Sequence, residues 1–153
     1  MKAAVITGAS VGIGRETARL FVAADYRVFN LSRRNCPIEG VTNLHCDLSS
    51  TDSISEACDV LRDKLQGAEQ IALIHNASQM RKDSVTDCDS VSLTEVLDTN
   101  VVAINRLNVQ LLPLMSAGSS LLYVGSTLSE KAVSASFSYV ISKHAQLGMM
   151  RAT

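Results

Sequence analysis

"VITGASVGIG", residues 5–14, decides how this chain folds. An apolar run meets Gly8, two further glycines follow at positions 12 and 14, and a helical pattern begins at once. A strand that turns this sharply into a helix lets a pyrophosphate approach the backbone and the helix amino terminus. Gly8 permits the turn, Gly12 keeps a Cβ out of the ligand's path, and Gly14 lets helix and strand pack closely. Ser10 and Ile13 lie in the same turn and join the three glycines as candidate cofactor-binding residues.

Outward from this turn, short apolar runs alternate with longer helical patterns. "AAVIT" (3–7), "VFNL" (28–31), "IALI" (71–74) and "LLYV" (121–124) read as parallel strands, and "NLHC" (43–46) is a fifth candidate. Their near-continuous apolar character predicts burial on both faces. Residues 14–24 place Ala18, Leu20, Phe21 and Ala24 on one side of a helix. Residues 50–65 begin with capping residues and carry Ile54, Ala57, Cys58 and Leu61 at helical period. Residues 93–115 read as one long helix that Pro113 terminates. This alternation predicts an α/β fold, a Rossmann-type doubly wound parallel sheet in three α/β/α layers, with residues 1–153 as a single domain, and the glycine turn makes that domain a candidate NAD(P)-binding one.

Composition narrows the function. The chain has 153 residues, 46% hydrophobic and 19% charged, with mean hydropathy +0.16, as expected of a folded domain with a sizeable core. A net charge of −1 argues against a general nucleic-acid binder. Cys36, Cys46, Cys58 and Cys88 form no C-x-x-C pair and no zinc-like spacing, so reduced thiols, no metal and a cytoplasmic location are expected. No apolar run approaches the ~18 residues needed to span a bilayer, so no membrane partner is expected.

Cofactor choice should be read at the end of the second strand. An acid there would hold a ribose hydroxyl and repel a phosphate. Here Ser32 takes that place, with Arg33 and Arg34 behind it. A guanidinium suits a 2′-phosphate, so NADP(H) is expected in preference to NAD(H).

Tyr139 and Lys143 stand one helical turn apart and so share a helix face. A free tyrosine, with pKa ~10, is a poor proton donor or acceptor at neutral pH, and a nearby ammonium favours its phenolate. Ser126 lies just past "LLYV", at the carboxyl end of a strand, where open α/β sheets place their ligands.

Together these residues resemble the short-chain dehydrogenase/reductase family, in the branch with a T-G-x-x-x-G-x-G turn and a Y-x-x-x-K pair. The motifs occur in family order along the whole chain. "CDLS" (46–49) resembles the family's acid motif, which implies that Asp47 and Leu48 lie near the adenine. "HNAS" (75–78) resembles N-N-A-G, contributing Asn76 and Ala77, while "DTNV" (98–101) supplies Asn100 and "VGS" supplies Ser126. The resemblance implies hydride transfer between a nicotinamide and a small-molecule carbonyl or secondary alcohol. In that reading Tyr139 exchanges the proton, Ser126 orients the substrate oxygen, Lys143 lowers the tyrosine pKa and binds the nicotinamide ribose, and Asn100 holds a relay water.

The sequence also departs from the pattern. Ser78 replaces a glycine, for which a local adjustment is expected, and His75 replaces the first asparagine as a structural hydrogen-bonding residue. Two further strands, a Pro-Gly loop and a substrate-covering loop of the family are not in this sequence, so the domain reads as C-terminally truncated, part of a longer reductase, with the interior-patterned "LLYV" left as an unpaired apolar edge. A catalytically silent nucleotide-binding module or partner subunit is the alternative. The apolar residues of 101–115 predict self-association, as a homodimer or homotetramer.

Overall fold

The computed structural model describes all of residues 1–153. Five parallel strands form one sheet: β1 (Lys2–Thr7), β2 (Arg27–Ser32), β3 (Val41–His45), β4 (Gln70–His75) and β5 (Ser120–Tyr123), in the order β3-β2-β1-β4-β5. Chain direction reverses its progress across the sheet between β1 and β4, and the loops that follow those two strands open the crevice in which such folds bind ligands. The helices are α1 (Gly12–Ala23), α2 (Thr51–Lys64), α3 (Ser90–Leu97), α4 (Ala103–Leu111) and α5 (Phe137–Ala152). None is long and apolar enough to cross a membrane. All four cysteines are free thiols.

The alternation of side chains along each strand builds two cores. Ala3, Val5, Phe29, Leu31 and Leu73 point to the face covered by α2 and α4, where they meet Ile54, Leu61, Leu107 and Leu111. Ala4, Ile6, Val28, Ala72 and Ile74 point the other way, against Ala18 of α1. Phe29 is wholly buried, and truncating such a side chain to alanine costs ~3–5 kcal/mol.

Three expectations are corrected. The face α1 presents to the sheet is Gly14 and Ala18, with Phe21 and Val22 partly buried, whereas Leu20 is 58% exposed and Ala24 is exposed. The register is set by Gly14 seating against the first loop, which turns Leu20 outward. The long helix expected over residues 93–115 is not continuous. One turn of π-helix spans Asp98–Val102 between α3 and α4, and a 3₁₀ turn, Leu112–Leu114, closes it at Pro113. Finally, β5 is not buried on both faces, with Leu122 45% exposed, while its pairing with β4 alone makes "LLYV" the unpaired apolar edge that was expected of it.

Candidate active site

The turn after β1 is held by its neighbours before any ligand enters. Gly8 and Gly12 have φ of +72° and +59°, a region that favours glycine. A Cβ on Gly14 would lie 2.5 Å from both the Gly8 carbonyl oxygen and Asn76 Nδ2, so this position admits only hydrogen. A Cβ on Gly12 would meet nothing within 4 Å, which leaves the loop's outer side open. Asn76 Nδ2 donates to the carbonyls of Thr7 and Gly8, both at 3.0 Å. Thr7 Oγ1 in return accepts from the N–H groups of Asn76 and Ala77. From the other side, the Ala9 N–H donates to buried Asn30 Oδ1 at 2.9 Å, and Asn30 Nδ2 donates to Asn43 Oδ1 at the same distance.

Val11 precedes helix α1 in an extended conformation and gives it no side-chain cap, and the first turn carries no acid. Ser50 caps α2, Asp89 caps α3, and Asp83 Oδ1 accepts from the Ser138 N–H in the first turn of α5. The first N–H groups of α1 are thus left without a side-chain acceptor, beside the glycine loop.

A cavity of about 640 Å³ opens over these loops. It gathers Gly8, Ser10, Ser32, Arg33, Arg34, Asp47, Leu48, Asn76 and Ala77 from the expected set. It does not take in Gly12, Ile13 or Gly14, nor Asn100, Ser126, Tyr139 or Lys143. Sequence reading missed Val11, Leu31, Cys46, Ser49, Gln79, Met80 and Thr99 in its wall, and Ser78 also lines it. Ser78 sits in the position of a family glycine without a positive φ, so its side chain is accommodated without backbone strain. Arg33 and Arg34 are exposed and neither forms an ion pair with a side chain of this chain. Asp47 is the acid among the lining residues. Hydrogen bonds from the Ser49 hydroxyl and N–H, helped by the nearby Arg33 charge, hold its carboxyl below the usual range.

A second cluster lies where β5, the π turn and α5 meet. Lys143 is 2% exposed, and its ammonium donates to the Val124 carbonyl at 3.0 Å and to Gln146 Oε1 at 2.8 Å. Burial lowers the pKa of Lys143. The ammonium lies 5.7 Å from the centre of the Tyr139 ring. Ser126 Oγ accepts from the Leu128 N–H and makes no hydrogen bond to Tyr139 or Lys143. Buried Asn100 donates through Nδ2 to the Gln79 carbonyl and to Ser142 Oγ, and accepts from the Gln79 N–H. Both of its amide hydrogens are therefore in use.

His75 stands apart from both clusters. It is 1% exposed, its Nε2 meets Asn108 Oδ1 at 2.8 Å, and Asn108 Nδ2 donates to the Tyr123 hydroxyl. Its Nδ1 has no partner. Burial, opposed in part by the Asn108 bond, pushes the imidazole pKa down to about 4. This is the structural hydrogen-bonding residue that its replacement of an asparagine suggested.

The chain belongs to the short-chain dehydrogenase family, whose model matches residues 2–153. It is 33% identical over 116 residues to a farnesol dehydrogenase of Aedes aegypti, covering 67% of this chain and 46% of that protein. The chain spans less than half the length of the curated relatives it matches. Its fold resembles a metagenomic short-chain oxidoreductase in complex with NADP, with TM-score 0.88 and 22% identity over 99% of this chain and 73% of the other. It also resembles a 4-hydroxyisoleucine dehydrogenase complexed with NADH, with TM-score 0.86 and 23% identity over 97% and 66% of the two chains.

Proposed function

We propose that this chain carries the cofactor-binding and acid–base residues of an oxidoreductase acting between NADP(H) and a small-molecule carbonyl or secondary alcohol. The observation that carries the reading is the buried Lys143 ammonium beside the Tyr139 ring, next to the carboxyl end of β5. A lysine withdrawn from water without a carboxylate partner is costly, and its use is to hold positive charge against a phenol.

A nicotinamide cofactor fits the residues present. The backbone of Gly8 to Gly14 and the uncapped N–H groups of α1 suit a pyrophosphate, because the first turn brings no negative charge of its own. Arg33 and Arg34, free of ion pairs, suit a 2′-phosphate, with Ser32 offering no repulsion. Asp47 and Leu48 would flank the adenine, and Asn76 and Ala77 hold the strand beside it. When bound, the cofactor supplies or accepts the hydride.

The chain's own groups handle the proton. Tyr139 gives it to, or takes it from, the substrate oxygen, and Ser126 donates a hydrogen bond to the same oxygen. Lys143 keeps two of its three N–H groups on Val124 and Gln146, which leaves one for the nicotinamide ribose. With both Asn100 amide hydrogens in use, any water it holds is bound through the second lone pair of Oδ1. The expected self-association stays with this proposal, since α4 leaves Val109 67% exposed, and a monomeric mass by light scattering would count against it.

The test follows NADPH oxidation against a panel of ketones, on the longest form of the protein and its Tyr139→Phe variant. The variant should keep its NADPH affinity and lose ~10²–10⁴-fold in turnover. Unchanged turnover would remove Tyr139 from the chemistry.

A further inference from the structure

Gln146 is a long polar residue on a helix face where burial favours apolar ones. It is 3% exposed, one turn beyond Lys143, and its Oε1 accepts from the Lys143 ammonium at 2.8 Å. An ammonium donates and never accepts, so the oxygen end of the amide must face it. On its other side the ammonium meets the Val124 carbonyl, which fixes it at the exit of β5. No carboxylate pairs with Lys143; Tyr139 is the titratable side chain recorded beside it. Two neutral oxygens thus replace the water that burial has removed.

We infer that Gln146 is a positioning residue for the acid–base pair: its amide oxygen keeps the buried Lys143 charged and aimed from a fixed point beside Tyr139. The inference rests on the proposed oxidoreductase reading for its purpose, and on the geometry of Lys143 and Gln146 alone for its physical content. With Oε1 removed, the ammonium keeps a single protein acceptor in a buried place, and the neutral amine gains ground. A carboxylate in the same place favours the charged form more strongly. Gln146 would then set both the charge that acts on Tyr139 and the direction of the remaining lysine N–H.

The experiment uses the 153-residue chain with ¹³C- and ¹⁵N-labelled lysine, the Lys143 signal being identified by its loss in Lys143→Arg. Lys143 is titrated by NMR in the wild type, Gln146→Leu and Gln146→Glu, and NADPH binding is followed separately by cofactor fluorescence. Gln146→Leu keeps the volume and removes the acceptor, so Lys143 should lose roughly tenfold or more in proton affinity. Gln146→Glu should raise that affinity above the wild type, which gives a readout should the leucine variant fail to fold. Equal titration of Lys143 in wild type and Gln146→Leu, or no rise in Gln146→Glu, would show that Gln146 merely fills space and would overturn the inference. Absence of NADPH binding in the wild type, with the lysine shifts as expected, would overturn the oxidoreductase reading and leave the positioning role standing.

Discussion

Asn100 and the backbone of Gln79 exchange two hydrogen bonds, 2.7 Å from the Gln79 N–H to Asn100 Oδ1 and 2.8 Å from Asn100 Nδ2 to the Gln79 carbonyl. The same Nδ2 also donates to Ser142 on α5 at 2.9 Å. One side chain in the π turn therefore ties together the loop after β4, the α3–α4 rod and the helix that carries Tyr139 and Lys143. The π turn has a physical purpose here, since it breaks the α-helical register at Asn100 and seats that residue fully inside.

Replacing Asn100 by leucine should leave the part-buried Gln79 N–H and carbonyl without partners. Each orphaned group costs ~1–3 kcal/mol, so a loss near 3 kcal/mol is expected in urea unfolding. A loss under about 0.5 kcal/mol, within the range of ordinary surface substitutions, would show that the exchange is not what fixes the loop.

The three glycines of the first loop should respond unequally to alanine. Gly12→Ala meets open space and bears only the positive φ, at a cost of ~1 kcal/mol. Gly14→Ala drives a Cβ to 2.5 Å from the Gly8 carbonyl oxygen and Asn76 Nδ2, so it should cost several times as much and distort the loop after β1. Thermal unfolding of the two variants checks this, and equal losses would mean that the loop relaxes freely around Gly14.

His75 should make the fold acid-sensitive. Its folded pKa of about 4 lies below the ordinary 6.5, so the unfolded chain binds the extra proton between those values. The contribution is fully present above pH ~6.5 and is lost as pH falls towards 4, by at most about 3 kcal/mol. Relative to His75→Asn, the wild type should lose stability across that window and show no pH-dependent difference above it. Parallel curves for the two proteins from pH 7 to 4 would refute the assignment.

Much of this was legible because it is local. The strand–glycine–helix turn, the Ser50 cap and the Ile54, Ala57, Cys58, Leu61 stripe depend on neighbours in sequence and came out as read. The π turn did not, because the contact that Asn100 makes from it is with the Gln79 backbone some twenty residues earlier, and "LTEVLDTNVVAINRLNVQLL" keeps an apolar period throughout. Gln146 was missed for a similar reason: it reads as a polar helix residue until the fold buries it against Lys143.

Buried Asp83 makes another such long-range contact. It lies before α3, yet its carboxylate accepts the Ser138 N–H and hydroxyl at the start of α5. Burial opposes its charge, but the two Ser138 bonds, helped by the nearby Cys88 thiol and Phe137 N–H, outweigh burial and hold the carboxyl below its usual range. Asp83→Ala should cost ~0.5–2 kcal/mol, as the loss of a helix cap does. A lowered pKa means that the contribution is present above the ordinary aspartate value and lost as pH falls through the folded one. The difference between wild type and Asp83→Ala should therefore shrink below pH ~4, and a difference constant from pH 7 to 3 would contradict the capping role.

The central claim, that this fold binds a nicotinamide dinucleotide and prefers the phosphorylated form, is tested most directly by calorimetric titration of the chain with NADPH and NADH, repeated on Arg33→Ala. The account predicts tighter binding of NADPH, a loss of ~1.5–3 kcal/mol for NADPH in the variant, roughly tenfold to a hundredfold in Kd and nearer the lower value at so exposed a guanidinium, and NADH binding left almost unchanged. Absence of binding by either nucleotide, or equal losses for both in Arg33→Ala, would contradict it.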